Sequence, residues 1–207
     1  MVRLPATATS PRSNSICSRY SSLTSPHYTE KHRKLRAWCR ASAEKIQPFV
    51  EEWESRGRVP KEAIDAHAKS GHGAAAFFPS ASDECLRAAG VQLPAGIHRD
   101  EWDIFCDLIL VDEGGRSGYL GVSWGLGGGN GIGAPPLISF GSPAQQKRFL
   151  VPILSGEKRI CLGITEASGG SDVANLRTTA KKTADGRHYL VNGSKKVRCS
   201  LYTQWRS

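Results

Sequence analysis

Apolar residues recur at helical spacing through most of the chain and alternate with polar ones only towards its end. Thr29 precedes a periodic run through Leu35, Trp38, Ile46, Phe49, Val50 and Trp53. Pro48 interrupts that run, and proline can restart a helix from its first turn. Gly57 closes the segment, and a shorter helix is predicted from Pro60 to Lys69. The stretch "SGHGAAAFFP" (70–79) reads as a turn into a buried edge. Between Arg99 and Arg116, Trp102, Phe105, Leu108 and Ile109 share one face while Asp103, Asp107 and Asp112 fall largely elsewhere, which predicts a core-facing amphipathic helix. The clearest helix signal is "SPAQQKRFLVPILSGEKR": Ser142 as N-cap, Pro143 at the first helical position, Gln145 three residues after the cap, and Gly156 past the end. Pro152 is expected to kink its last turn.

Beyond that helix the period changes. Ile160–Ile164 predicts a strand, and "TTAKKTADGRHYLVNG" predicts two more, joined through Asp185-Gly186. "HYLVNGSKK" reads as a strand entering an Asn192-Gly193 hairpin turn, whose returning arm loses apolar alternation from Val197 onward. Helices first and strands later define an α+β chain: an all-helical domain passing into an incomplete β domain.

At 207 residues, 39% hydrophobic and 23% charged, the composition is that of a soluble globular protein with one substantial core or two small ones. No run of 18 apolar residues is present to span a bilayer. The net charge of +9 suggests nucleic acid until it is located. Residues 1–40 hold eight basic residues against one acidic, residues 181–207 seven against one, and the body between them is net −4. A nucleic-acid module would concentrate basic charge on a structured face with stacking aromatics, so that class is set aside. The six cysteines (Cys17, Cys39, Cys85, Cys106, Cys161, Cys199) stand singly with no metal-ligand spacing. They read as reduced thiols of an intracellular protein, with cytoplasm, mitochondrion and peroxisome not distinguished. Residues 1–26 lack acidic residues and carry Pro5, Pro11 and Pro26, which suits a disordered tail or a mitochondrial transit peptide.

Several motifs are decoys. Gly129-Asn130-Gly131-x-x-Ala134 matches a dinucleotide fingerprint formally, but Pro135-Pro136 follow at once and no acidic residue lies about 20 positions on. Close packing of a helical or irregular segment is the better reading. His67 and His72 lack further ligands for a metal. Asp107, Asp112 and Glu113 read as a solvated helix face rather than a catalytic pair.

"GITEASGGSDVANLRTTA" followed by "YLVNGSKK" resembles the flavin-binding signature of the acyl-CoA dehydrogenases, T-E-P-x-x-G-S-D-x-x-x-x-x-T-x-A and then N-G-x-K-x-W-I-T. The upstream "GIGAPPLISFGSPAQQKRFLVPILSGEKRICLGITE" is similar to the family's preceding helix, and the resemblance spans roughly 27–196. It implies an N-terminal helical domain (27–158), the first part of a flavin-binding β domain (159–196), and FAD as cofactor. The family's C-terminal four-helix domain would be absent, and 197–207 would be an aberrant tail. By the same resemblance Leu162, Gly163, Ile164 and Thr165 line the flavin ring, and Gly170 and Ser171 sit at the turn that reaches the FAD pyrophosphate. Ser171 also approaches the acyl-CoA substrate, and Glu166 has a structural role at the turn. Gly169 and Gly170 are expected to take positive φ beside a phosphate.

The family reaction, α,β-dehydrogenation of an acyl-CoA thioester, takes its proton-removing carboxylate from the C-terminal domain, so no catalytic residue is assigned in this chain. The expectation is a truncated, inactive dehydrogenase with weak FAD retention. The alternative is a non-catalytic module that pairs with full-length homologues. The family also implies homo-oligomers, and electron-transfer flavoprotein as a partner. Two departures stand out: Ala167 replaces the motif's proline, and Val197-Arg198-Cys199 replaces W-I-T.

Overall fold

The computed structural model describes residues 25–196. Helix α1 (Glu30–Ile46) starts at extended Thr29, whose N–H donates to His32 Nδ1 at 3.0 Å, so a histidine holds the capping-box position usual for Glu or Gln. A 3₁₀ turn, Gln47–Phe49, absorbs Pro48, and α2 (Val50–Ser55) follows, closed by Gly57 at φ +63°. Helix α3 (Lys61–Lys69) forms where the pattern predicts it.

The stretch 70–79 departs from the expected buried edge: it forms a one-turn helix, α4 (His72–Ala75), and further turns. Small side chains let this coil pack tightly, with Ala74, Ala75, Phe77 and Phe78 all buried. Gly71 is required at its start. Its φ is +95°, and a Cβ there would meet Gln92 O at 2.2 Å.

Helix α5 (Asp83–Ala88) is capped by Ser82, and α6 (Ile104–Gly115) by Asp103, whose Oδ1 accepts from Phe105 N and Cys106 N at 3.0 and 3.1 Å. The buried stripe of α6 is Cys106, Ile109 and Glu113. Leu108 is exposed, contrary to the sequence expectation, together with Ile104 and Val111. Apolar residues occupy both sides of this helix, and spacing alone does not say which side meets α1.

Glu113 also corrects the sequence reading, because it is fully buried rather than solvated. Arg36 Nη1 lies 3.1 Å and Arg40 Nη2 2.8 Å from its Oε1, and Arg116 Nε 3.5 Å from Oε2. Asp112 is exposed and pairs with Arg36 at 2.6 Å. Asp107 accepts from the indole of buried Trp102 at 2.8 Å. The core between α1 and α6 contains Leu35, Cys39, Phe78, Trp102, Ile109, Leu150 and Leu154, and a second cluster gathers Val50, Trp53, Val59 and Val122.

Helix α7 (Leu120–Ser123), a π turn (Trp124–Gly128) and α8 (Gly129–Gly133) run on with right-handed dihedrals at each junction. The glycine-rich motif is therefore helical, and among the described residues no strand precedes it, in keeping with its packing reading. Helix α9 (Pro135–Phe140) leads to α10 (Pro143–Gln145), a π turn (Gln146–Leu150) and α11 (Val151–Leu154). The capping box is present: Ser142 Oγ accepts from Gln145 N at 3.3 Å, and Gln145 Oε1 accepts from Ser142 N at 2.8 Å. Gly156 closes the helix at φ +81°. The irregularity expected at Pro152 is a π turn just before it, where the ladder widens ahead of a residue with no N–H to give.

Ile160–Ile164 has no regular secondary structure and joins no ladder among the described residues, so the predicted strand is not realised as one. Strands β1 (Thr179–Lys182) and β2 (Tyr189–Asn192) pair antiparallel, Thr179 opposite Asn192 and Lys182 opposite Tyr189. Asp185-Gly186 lies in their turn, as the sequence predicts. Asn192-Gly193 does not start a second hairpin within 193–196. Lys196 N instead donates to Thr165 O at 2.8 Å. The tail expected at 197–207 and most of the leader expected at 1–26 lie outside the described residues.

Candidate functional site

A buried carboxylate organises the segment after α11. Glu166 N donates to Gly169 O at 2.9 Å and Gly169 N to Glu166 O at 3.3 Å, so Ala167 and Ser168 form a tight turn. The Glu166 side chain is 4% exposed. Its Oε2 accepts from Arg177 N at 2.7 Å, and its Oε1 from Thr178 N at 3.0 Å and Lys195 Nζ at 2.8 Å. Lys195 Nζ also donates to Ile164 O at 2.9 Å. One carboxylate thus joins the turn, the start of β1 and the segment after β2. The hydrogen bond from Lys195, followed by those from 177–178, holds the Glu166 carboxyl down to about 2.

Leu162, Ile164 and Thr165 are part-buried while Gly163 is exposed. Among the described residues the backbone N–H groups of 162–165 have no acceptor, although the carbonyls of Ile164 and Thr165 are both taken. Gly170 and Ser171 are exposed on the far side of the pinned turn. The structure therefore brings 162–165 and 170–171 to the two arms of one turn.

Neither Gly169 nor Gly170 has positive φ, against the sequence expectation. Close approach is what requires Gly169, since a Cβ there would lie 3.0 Å from Asp172 O. Gly170 faces open space, with nothing within 4 Å of a Cβ. Residue-by-residue reading missed Lys195 as the partner of Glu166. Its position in the N-G-x-K stretch was the available signal.

Two histidine groups elsewhere are structural. His72 stacks on Trp38 with centroids 3.6 Å apart, and His67 lies 5.2 Å from it. Burial lowers the His67 imidazole to about 4 and the His72 imidazole to about 3. Ligand-type atoms of His32, Asp103 and Cys106 lie within 4.8 Å of one another. His32 is already spent on Thr29 N and on Asp103 at 2.9 Å, and Asp103 on helix α6 and on Lys31 Nζ at 2.7 Å. A cation there would also face the positive end of α6, so the group is a helix cap.

Residues 86–157 match the family model of the acyl-CoA dehydrogenase N-terminal domain. The chain is 44% identical over 178 residues to acyl-CoA dehydrogenase AFT10-1 of Alternaria alternata, covering 86% of this chain and 40% of that protein. It is 30% identical over 172 residues to the caffeyl-CoA reductase-Etf complex subunit CarC of Acetobacterium woodii, covering 82% and 40%. The solved structure of a probable acyl-CoA dehydrogenase from Mycobacterium abscessus superposes with a TM-score of 0.64 at 28% identity, over 82% of this chain and 41% of that one. A helical unit followed by a carboxylate-pinned turn and a two-stranded hairpin is the part of the fold that these comparisons match. The chain belongs to the acyl-CoA dehydrogenase family and spans about two fifths of the length of the curated relatives it matches.

Proposed function

We propose that this chain supplies one wall of the flavin site of an FAD-dependent acyl-CoA dehydrogenase, an oxidoreductase that desaturates an acyl-CoA thioester between its α and β carbons. The observation that carries the reading is the run of open N–H groups at 162–165 entering the turn pinned by Glu166. FAD, when bound, supplies the hydride acceptor. Fixed donors suit it, because a ring that accepts hydride gains negative charge that prepositioned N–H groups stabilise without reorganising. The N–H groups of Leu162, Gly163, Ile164 and Thr165, with the Thr165 hydroxyl, fill that role. Exposed Gly170 and Ser171 offer a backbone donor and a hydroxyl to the pyrophosphate, and Ser171 also to the thioester. On this reading 27–158 is the helical domain and 159–196 the first part of the flavin domain.

Glu166 is no base for this reaction: Lys195 and two amides engage its oxygens, and its proton is lost far below neutral pH. Proton removal on this proposal comes from outside the described residues. The naming of the Acetobacterium relative as part of an Etf complex supports an electron-transfer flavoprotein as the oxidant of the reduced flavin. Free Cys39, Cys85, Cys106 and Cys161 support a reducing, intracellular location.

Backbone NMR of the 207-residue chain titrated with FAD tests the site even at weak affinity. Shifts confined to 162–165 and 169–171 are expected; an unperturbed 162–165 at saturating FAD overturns the proposal. A second reading, a module that pairs with full-length homologues or with its own kind, is favoured by the exposed stripe Ile104, Leu108 and Val111 on α6. Co-purification with an intact homologue, lost in Leu108→Lys, is the outcome that reading expects.

A further inference from the structure

The three residues leading into the candidate flavin run are each gripped by the glycine-rich helix. Arg159 Nη2 donates to Gly125 O, and Ile160 N donates to Asn130 Oδ1 at 3.1 Å. A Cβ on Gly133 would lie 3.1 Å from the N, Cα and C atoms of Cys161. The grips fall in one order along both segments, 125, 130 and 133 against 159, 160 and 161. The Asn130 amide orientation follows from its partner, since a backbone N–H can only donate. The atoms facing Gly133 are main-chain, so a methyl group there must displace the segment rather than turn a side chain aside.

We propose that Asn130 and Gly133 are positioning residues, which seat 159–161 on α8 and so fix where the open N–H groups of 162–165 are presented. The helix has its glycines and asparagine for the protein's own backbone, in place of the pyrophosphate that its fingerprint-like spacing suggests. Ile160–Ile164 has no ladder partner among the described residues, so this seat, the packing of Ile160 on the helical core, and the Lys195 and Lys196 bonds to Ile164 O and Thr165 O together hold the run. The seat stands on geometry alone; its consequence for flavin rests on the function proposed above.

Hydrogen exchange on the 207-residue chain tests it. In Asn130→Ala the Ile160 amide is expected to exchange about fivefold faster, the loss of one typical net hydrogen bond, while those of α1 and α6 keep their rates and the resonances of 162–165, whose N–H groups have no acceptor, move. Asn130→Asp retains an acceptor oxygen and is expected to restore slow exchange. Gly133→Ala, with Asn130 intact, is expected to move the resonances of Cys161–Thr165. In the FAD titration, Asn130→Ala loses the perturbation at 162–165 and Asn130→Asp keeps it. Unchanged exchange at Ile160 or unmoved resonances at 162–165 in Asn130→Ala overturn the inference, as does an equal rise in exchange throughout α1 and α6. If the exchange results hold while wild-type chain shows no FAD perturbation, the seat stands and the flavin reading fails.

Discussion

Leu35, Cys106, Ile109 and Leu150 in the helical unit are completely buried, whereas every residue of β1 and β2 is exposed. The helical unit is held by apolar packing around one buried carboxylate ringed by arginines. The segment from 159 onward is held by backbone grips and by a carboxylate that joins three stretches of chain. Glu113 and Glu166 are both buried acids, yet the first fastens helices that already have a core and the second stands in for a core. Removing each should therefore do different things to the molecule.

The largest effect is expected from Glu113→Ala, which leaves Arg36, Arg40 and Arg116 facing an emptied buried site. Breaking a buried pair typically costs about 3–5 kcal/mol, so the urea midpoint of the helical circular-dichroism signal should fall sharply. An unchanged midpoint would mean that the ion cluster adds nothing to the core.

Acid should separate the two regions further. An unfolded chain protonates histidine near 6.5, while folded His67 and His72 resist until about 4 and about 3. Helical stability is therefore expected to decline as pH falls through that window. The folded-state depression of Glu166 has the same sign at lower pH: its contribution is present above about 4.5 and is lost towards about 2. Glu166→Gln should abolish only this second, turn-specific loss, read as proteolytic nicking within 166–178 at neutral pH while the helical melt is unaltered. If Glu166→Gln lowers the helical melt as Glu113→Ala does, the two regions are one cooperative unit.

Leu108→Ser should have the smallest effect, within about 0.5 kcal/mol, because that side chain is exposed and outside the core. A larger loss in thermal melting would show that the outer face of α6 is covered in solution.

Short-range signals carried the fold. The Ser142–Gln145 box, Gly156 and the Asp185-Gly186 turn act within a few residues, and each is where the sequence places it. Long-range partners did not show. Glu113 read as solvated because Arg36 and Arg40 lie more than seventy residues before it, and Ile160–Ile164 read as a strand because alternation signals extension but not who pairs with it. The signature located the turn, and Glu166 was assigned a structural role there, but the means, Lys195 and the two amides just before β1, came only from geometry.

The imidazole of His32 receives Thr29 N–H on Nδ1, so its proton sits on Nε2 and goes to Asp103, which in turn anchors the opening of α6. Two helices that begin more than seventy residues apart thus share a common knot of three side-chain and main-chain links. Fraying at either beginning should loosen the other, so the pair would open as a unit during local breathing rather than one end at a time.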